Sequence, residues 1–174
     1  MNNIIKMNSE SIQGKDGNSS KYLTFLLNGE TYAVSIHKVK EIIEFGEVTP
    51  IPLMPDFICG TINLRGRAVP VIDLAKRLGL GGADVSRHTC FIIVELQTED
   101  ELMNIGVRVD GVSRVIDFMP EDIEKTPSLG GNIRTDFIQA MGKIDEQFVI
   151  MLNIDRVLSM EDIKTLSEVQ ETSS

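Results

Sequence analysis

A chain of 174 residues with 42% hydrophobic and 25% charged side chains has the composition of a folded globular protein and not of a disordered one. Its formal net charge of −9 repels phosphate groups, so we expect neither nucleic acid nor an anionic membrane surface as a partner. The first residues lack the apolar core of a signal peptide, no apolar run is long enough to cross a bilayer, and two cysteines are too few for a disulfide scaffold, which together favour a cytoplasmic protein.

Between two polar segments that we predict to be flexible tails, residues 1–20 and 170–174, the pattern is that of a β-rich protein. Asn28-Gly29, Arg65-Gly66 and Asp145-Glu146 are predicted to form two-residue hairpin turns. The predicted strands are Lys21–Leu27, Thr31–Ser35, Lys40–Phe45, Thr61–Leu64, Arg67–Ile72, Thr89–Glu95, Leu102–Val109, Val112–Phe118, Ile138–Ile144 and Gln147–Asn153.

Helical signals are few. Pro55–Ile58 is predicted to form a single turn, and Leu74–Leu78 a short helix that ends at Gly79. Ser159 precedes a capping-box-like start, which predicts a C-terminal helix to about Val169. Many short strands without long helices between them indicate small barrels or a sandwich and not a parallel α/β sheet.

The sequence contains an internal repeat. Ala33–Phe45 aligns with Gly106–Phe118 at a constant offset of 73 residues, and the apolar positions match while the polar ones differ. We therefore predict two similar β-barrels that arose by duplication, with the chain passing from one to the other near residues 79–88. A second match, with a hairpin two residues shorter in the second copy, pairs Gly60, Ile62, Val71, Ile72 and Asp73 with Gly142, Ile144, Met151, Leu152 and Asn153.

Candidate chemical groups are sparse. The spacing His88-x-Cys90 would put both side chains on one face of a strand, so they are a conceivable metal-ligand or nucleophile pair, but a closed zinc site would also need Cys59 and His37. A surface histidine beside a core cysteine is the simpler interpretation. No phosphate-binding loop or nucleophile elbow is present in the sequence.

Two further features have local explanations. Asp73 and Asn153 end equivalent strands and are predicted to cap the helical turns that follow them. Arg65-Gly66-Arg67 is a compact basic spot in an acidic protein, which is either a soluble hairpin tip or a contact for a carboxylate of a partner.

The stretch Ile62–Leu74, which reads INLRGRAVPVIDL, closely resembles the signature hairpin of the CheW-like family. Tyr32–Val34 and Val39–Ile42 resemble the second and third strands of that family, and Val109–Val112 resembles its Val-Asp-Gly-Val motif. Asn153–Leu158 resembles its final strand and helical turn. The resemblance extends in the right order from about Tyr22 to Leu166 and identifies residues 21–169 as one CheW-like domain.

The resemblance implies a mostly β fold of two small five-stranded SH3-like barrels packed together, with short helices and a C-terminal helix. It also implies a cytoplasmic scaffold of bacterial chemotaxis, which joins the histidine kinase CheA to the cytoplasmic tips of chemoreceptors in membrane-associated arrays. It implies no catalytic residue, metal or cofactor, and no insertion into the membrane. Two alternatives stay open: a coupler of a non-chemotaxis sensory kinase, and a small enzyme that uses Cys90 and His88.

Family motifs also carry expectations for contact residues. The receptor-binding residues implied by the resemblance are Val39, Glu41, Gly60, Arg65, Gly66 and Phe91. In this interpretation Val39 and Phe91 are the apolar walls of a groove for a receptor helix hairpin, while Glu41 and Arg65 set its register. A kinase contact is expected within residues 126–131, at Thr126, Pro127 and Leu129.

Overall fold

The computed structural model describes residues 20–82, 84–98, 101–124 and 137–172, which form two β-sheets with a few short helices. Two 3₁₀ turns span Ile36–Lys38 and Pro120–Asp122, and the α-helices are α1 (Leu74–Arg77), α2 (Ile154–Val157) and α3 (Met160–Thr172). The strands are β1 (Ser20–Leu27), β2 (Glu30–Ser35), β3 (Val39–Glu44), β4 (Ile58–Leu64), β5 (Arg67–Asp73), β6 (Cys90–Gln97), β7 (Leu102–Val109), β8 (Gly111–Phe118), β9 (Ile123–Glu124), β10 (Ile138–Ile144) and β11 (Gln147–Leu152). The predicted mostly β fold class with two small SH3-like units is therefore confirmed.

The two sheets have the same topology. One sheet has the strand order β3-β6-β7-β5-β4, and the other has the order β8-β1-β2-β11-β10-β9. Each sheet contains one parallel pair, β5 with β7 in the first and β11 with β2 in the second, and its other pairs are antiparallel. When β3 is matched to β8, β4 to β10, β5 to β11, β6 to β1 and β7 to β2, the five-stranded order becomes the first five strands of the other sheet, as a duplicated unit requires. The short edge strand β9 is a sixth strand without a counterpart strand in the described part of the first sheet.

The second match of the predicted repeat needs a correction. Leu64 pairs with Arg67 in the first hairpin and Ile144 with Gln147 in the second, so the two hairpins have equal length. A single offset of 80 residues relates Ile58–Asp73 to Ile138–Asn153, and the predicted pairing of Gly60 with Gly142 is wrong by two positions. Close packing requires glycine at each of these two positions for a separate reason. A Cβ at Gly60 would lie 2.0 Å from the Thr49 carbonyl oxygen, and a Cβ at Gly142 would lie 2.6 Å from the Phe118 ring.

The predicted change of barrel near residues 79–88 is also wrong. That stretch lies between β5 with its following helix α1 and β6, and both strands belong to the five-stranded sheet. The chain crosses between sheets from β2 to β3 through the 3₁₀ turn Ile36–Lys38, and again from β7 to β8 at Asp110. The repeat at the offset of 73 residues therefore aligns one crossing, β2 to β3, with the other, β7 to β8. As a result the second sheet combines the first two strands of the chain with the last four.

The predicted tails fall mostly outside the described residues. Of residues 1–20 the structure describes Ser20, which begins β1, and of residues 170–174 it describes the stretch to Thr172, where α3 ends. Helix α3 thus continues three residues beyond the predicted end at Val169. None of the helices in the described part of the chain has the length and apolar character needed to span a membrane.

The main hydrophobic core lies between the sheets. Residues such as Phe25 and Tyr32 from one sheet pack in the same cluster as Ile72, Ile92 and Val107 from the other. Each sheet also has a small cluster of its own, and the two clusters use equivalent positions: Tyr22, Val149 and Met151 in one, and Phe91, Val69 and Val71 in the other. Burial of these aliphatic and aromatic side chains is the main source of stability.

Arg77, the last residue of α1, contacts residues from both copies of the repeat and from the C-terminal helix. Its guanidinium lies over the rings of Phe57 and Phe137, at 5.0 Å and 5.2 Å from their centroids, and these two phenylalanines are equivalent at the offset of 80. Its Nε donates to the Val157 carbonyl oxygen at 2.6 Å, and its Nη2 lies 3.5 Å from the Asp162 carboxylate of α3. One side chain therefore connects both copies of the repeat to the C-terminal helix.

Helix ends follow the predicted caps in part. Asp73 accepts a hydrogen bond from the Lys76 backbone N–H at 3.2 Å, as predicted, but Asn153 makes no side-chain cap bond. Ser159 and Asp162 form the predicted capping box, with each side chain accepting from the backbone N–H of the other at 3.1 and 3.0 Å. Pro55–Ile58 forms a turn, closed by a 3.0 Å bond from the Ile58 N–H to the Pro55 carbonyl oxygen, that leads directly into β4.

Candidate protein-binding site

The β4–β5 hairpin presents Arg65 at its tip. Arg65 and Gly66 have φ angles of 53° and 83°, as the predicted two-residue turn requires, and the Gly66 N–H donates to the Asn63 side-chain oxygen at 2.8 Å. The Arg65 side chain is 69% exposed. The hairpin is thus an accessible, conformationally fixed feature of the surface.

Arg65 pairs with Glu41 of strand β3 within the same chain. Nη1 and Nη2 of Arg65 donate to the two carboxylate oxygens of Glu41, each at 2.8 Å, and the Glu41 side chain is 18% exposed. These hydrogen bonds and the Glu41 charge raise the pKa of Arg65 further above its ordinary value. The bidentate carboxylate that we expected from a partner is therefore already supplied by Glu41, and the pair offers one preformed charged unit.

Three predicted contact residues are buried. Phe91 is 1% exposed and Val39 is 8% exposed, and both belong to hydrophobic clusters. Gly60 is also buried, beneath the Thr49 carbonyl group. The interpretation of Val39 and Phe91 as open groove walls is therefore wrong.

A β-bulge explains why Val39 faces inward. Val39 pairs with Val94 and Glu41 with Ile93, so strand β3 advances by two residues where β6 advances by one. Strict alternation would place Val39 and Glu41 on one face, but the bulge at Lys40 puts them on opposite faces. Lys40 itself pairs with Glu95, with a separation of 3.0 Å between Nζ and the carboxylate oxygen.

A depression of about 340 Å³ lies at the far end of β3. We call the five-stranded sheet with its connections the first unit and the six-stranded sheet the second unit. The apolar lining of the depression comes from Ile42, Ile43 and Phe45 of the first unit and from Val112 of the second, and its rim comes from residues 86–90. Phe45 packs on Phe91, with ring centroids 5.3 Å apart, and is 36% exposed. Phe45 is not among the contact residues predicted from the sequence, although it aligns with Phe118 in the repeat. The structure buries Phe118 and leaves Phe45 partly open.

The equivalent surface of the second unit carries reversed charges. At the offsets of 73 and 80 residues, Arg114 stands where the first unit has Glu41, and Asp145 where it has Arg65. Both residues are exposed, and they line a shallow pocket of about 130 Å³. A partner that recognises the charges of one hairpin thus meets the opposite charges on the other, so the two units are not interchangeable binding sites.

Cys90 and His88 lack the environment of a catalytic pair. His88 lies in a turn before β6 and not on the strand, so the predicted shared strand face is wrong. Burial raises the pKa of the Cys90 thiol to about 11, which disfavours the thiolate that a nucleophile needs. Burial, with a contribution from Asp73, also raises the pKa of Cys59. Within the described ranges, no three His, Cys, Asp or Glu side chains are grouped as a metal site would require.

The predicted kinase-contact residues Thr126, Pro127 and Leu129 lie outside the described residues, as does the whole stretch 126–131.

Comparison with known proteins agrees with the β topology and the hairpin motif. The family model for the CheW-like domain matches residues 21–162. The chain belongs to the CheW-like family. The predicted family is thus confirmed, and with it a role as a chemotaxis adaptor or scaffold.

Individual CheW relatives match over most of the chain. The chemotaxis protein CheW of Klebsiella aerogenes is 32% identical over 152 residues, which cover 87% of this chain and 89% of the relative. That of Bacillus subtilis is 34% identical over 142 residues, covering 81% and 88%. The crystal structure of the scaffolding protein TtCheW from Thermoanaerobacter tengcongensis superposes with a TM-score of 0.73 at 34% identity, covering 82% of this chain and 96% of that one.

Proposed function

We propose that this CheW-like chain couples the cytoplasmic tips of chemoreceptors to the histidine kinase CheA. The observation that carries the proposal is the Arg65–Glu41 pair, which is held at an accessible hairpin tip in a protein whose relatives are chemotaxis scaffolds. Such a protein acts by binding two partners at once. This raises their effective concentration toward each other without any chemical step.

We place the receptor on the first unit, at the surface of β3 and the β4–β5 tip. Glu41, Arg65 and Gly66 supply polar contacts that fix the register of a receptor helix, and the depression that contains Phe45 accepts its apolar side chains. The receptor does not touch the buried residues Val39, Gly60 and Phe91. They contribute indirectly, because their packing holds β3 and β4 in place. The reversed charges at Arg114 and Asp145 disfavour the same receptor on the second unit.

CheA then occupies a different surface, and the complex forms on the cytoplasmic side of the receptor array. The two units share one hydrophobic core and are not joined by a flexible linker. A displacement of the receptor surface is therefore transmitted through close-packed side chains to the surface that holds CheA. The receptor therefore controls the kinase through the position in which the scaffold holds it.

Reconstitution of purified CheA, a receptor cytoplasmic fragment and this protein tests the proposal. Autophosphorylation of CheA with and without the receptor fragment measures coupling, and titration calorimetry measures affinity for the fragment. We expect Arg65→Ala and Glu41→Ala each to weaken receptor binding by about tenfold and to reduce coupling, because each removes half of the charged unit. Lys21→Ala, which breaks the ion pair with Asp117 on the other sheet, is the matched control and should couple normally.

The exchanged variant Glu41→Arg/Arg65→Glu separates contact from structure. It can restore the ion pair within the chain, but it reverses the charges offered to a receptor. We expect it to couple as poorly as the single variants. Normal coupling by both alanine variants would refute the site, and full recovery by the exchanged variant would show that the pair serves the fold.

A further inference from the structure

The loop between β3 and β4 exposes a run of apolar residues. Residues 50–55 read PIPLMP, and of these Pro50, Pro52, Leu53 and Pro55 are exposed while Ile51 and Met54 are half-buried. Runs of exposed apolar residues lower solubility and are kept in proteins chiefly where they contact a partner.

Leu53 is the extreme member of this run. It is 103% exposed, as open as in an extended peptide, and its φ angle is 63°. This left-handed conformation is unfavourable for a bulky side chain and is ordinarily taken by Gly or Asn. No packing among the described residues compensates the cost, since they leave the side chain fully exposed. Strain of this kind concentrates at binding and switch sites.

The loop holds Leu53 in a defined position. Thr49 pairs with Thr61 through two backbone hydrogen bonds of 2.8 and 2.9 Å at one end, and the turn at Pro55 closes the other. Met54, next to Leu53, packs against the main core. Three prolines further restrict the backbone. The leucine is therefore presented as a preorganised knob, which lowers the entropy cost of inserting it into a partner.

The loop does not present a polyproline surface. Pro52-Leu53-Met54-Pro55 has the PxxP spacing, but polyproline II requires φ near −75° at each residue. The positive φ of Leu53 is incompatible with that conformation. Recognition of this loop must therefore depend on the leucine side chain itself.

The position of the loop separates it from the Arg65 tip. It joins β4 at Ile58, while the tip follows Leu64, and six residues of strand span roughly 20 Å. Glu47 and Asp56 flank the apolar run and are exposed, so a basic rim would complement it.

We propose that Leu53 anchors this protein to CheA by inserting into an apolar socket with a basic rim on the kinase. The inference rests on the proposed coupling function, in which the receptor occupies the Arg65 surface and the kinase needs a separate one. It adds a binding residue that lies outside residues 126–131, where we expected the kinase contact.

The variant Leu53→Asn tests the anchor. Asparagine tolerates the left-handed conformation, so we expect the melting temperature to rise by about 2–4 °C while the affinity for CheA falls by about tenfold or more. Leu102→Asn is the matched control, because Leu102 is 56% exposed in a strand and has no positive φ. Calorimetric titrations with purified CheA and with the receptor fragment give both affinities.

Loss of CheA binding with intact receptor binding would support the anchor. Unchanged CheA affinity, or a loss confined to the receptor fragment, would overturn it. Failure of the wild-type protein to bind CheA would instead refute the proposed coupling function and the anchor with it, and that failure is visible before any variant is made.

Discussion

Replacement of Gly60 by alanine tests whether this residue serves the fold and not a partner. Its φ angle of 142° is unfavourable for any side chain, which costs about 1–3 kcal/mol. A Cβ would also lie 2.0 Å from the Thr49 carbonyl oxygen, so Thr49 must move away from Thr61. The two backbone hydrogen bonds between these threonines then break, at about 1 kcal/mol each. We therefore expect Gly60→Ala to lower the free energy of unfolding by about 3–5 kcal/mol.

Two other glycines provide matched controls. Gly66 has a positive φ of 83° but open space around it, so Gly66→Ala should cost about 1–2 kcal/mol from conformation alone. Gly46 has neither constraint, and Gly46→Ala should change stability by about 0.5 kcal/mol or less. Urea denaturation followed by circular dichroism measures all three. In thermal scans the loss at Gly60 corresponds to roughly 6–20 °C.

The result bears directly on function. If Gly60→Ala is no more destabilised than Gly66→Ala, the packing argument is refuted. If the large loss is found, any coupling defect of the variant reflects the fold of β4, and the receptor surface begins at the hairpin tip.

Two further predictions concern the buried hydroxyl of Thr24 and the half-buried thiol of Cys90. The Thr24 hydroxyl donates to the Arg114 carbonyl oxygen at 2.8 Å and accepts from its N–H at 3.2 Å, so Thr24→Val should cost about 2 kcal/mol in urea denaturation; Thr24→Ser, which keeps both bonds, should cost less, and the reverse order would contradict the argument. For Cys90, folding raises the thiol pKa from its ordinary value of 9.0 to about 11, so the unfolded chain loses its proton first and stability falls as the pH rises from 9 to 11. Cys90→Ala should show a smaller decline over that range, and an identical pH profile would show that the thiol is not responsible.

Local backbone chemistry made the hairpins predictable. Asn28-Gly29 and Arg65-Gly66 adopt positive φ at both turn positions, which Asn28 and the two glycines favour and Arg65 does not. Asp145 and Glu146 do so as well, at 47° and 67°, because the flanking strands leave no other way to close the loop. The family and the exposed hairpin tip thus follow from patterns within a few residues, whereas the two similar units follow from the repeat at an offset of 73 residues.

Long-range packing was less predictable. The identity of Val39 gave no sign of which way it faces, since the β-bulge at Lys40 reverses the alternation that a strand pattern implies. The burial of Phe91 follows from its packing in the cluster with Val69 and Val71, which lie on a different strand. The intramolecular partner of Arg65 was missed because Glu41 lies 24 positions away on another strand. The point at which the chain changes sheets was missed because the polar stretch near residues 79–88 has the composition of a linker while its flanking strands remain in one sheet.

The interleaved topology sets an order of assembly during synthesis. The five-stranded unit is continuous in sequence, from Val39 to Val109, so all its strands are available once Val109 has left the ribosome. The β1–β2 hairpin emerges first, yet β1 needs β8 and β2 needs β11, whose residue Met151 pairs with Ala33. The N-terminal hairpin must therefore wait, with both edges unpaired, until the C-terminal strands are made. A nascent chain that stalls between these points would expose those edges to pairing with other chains.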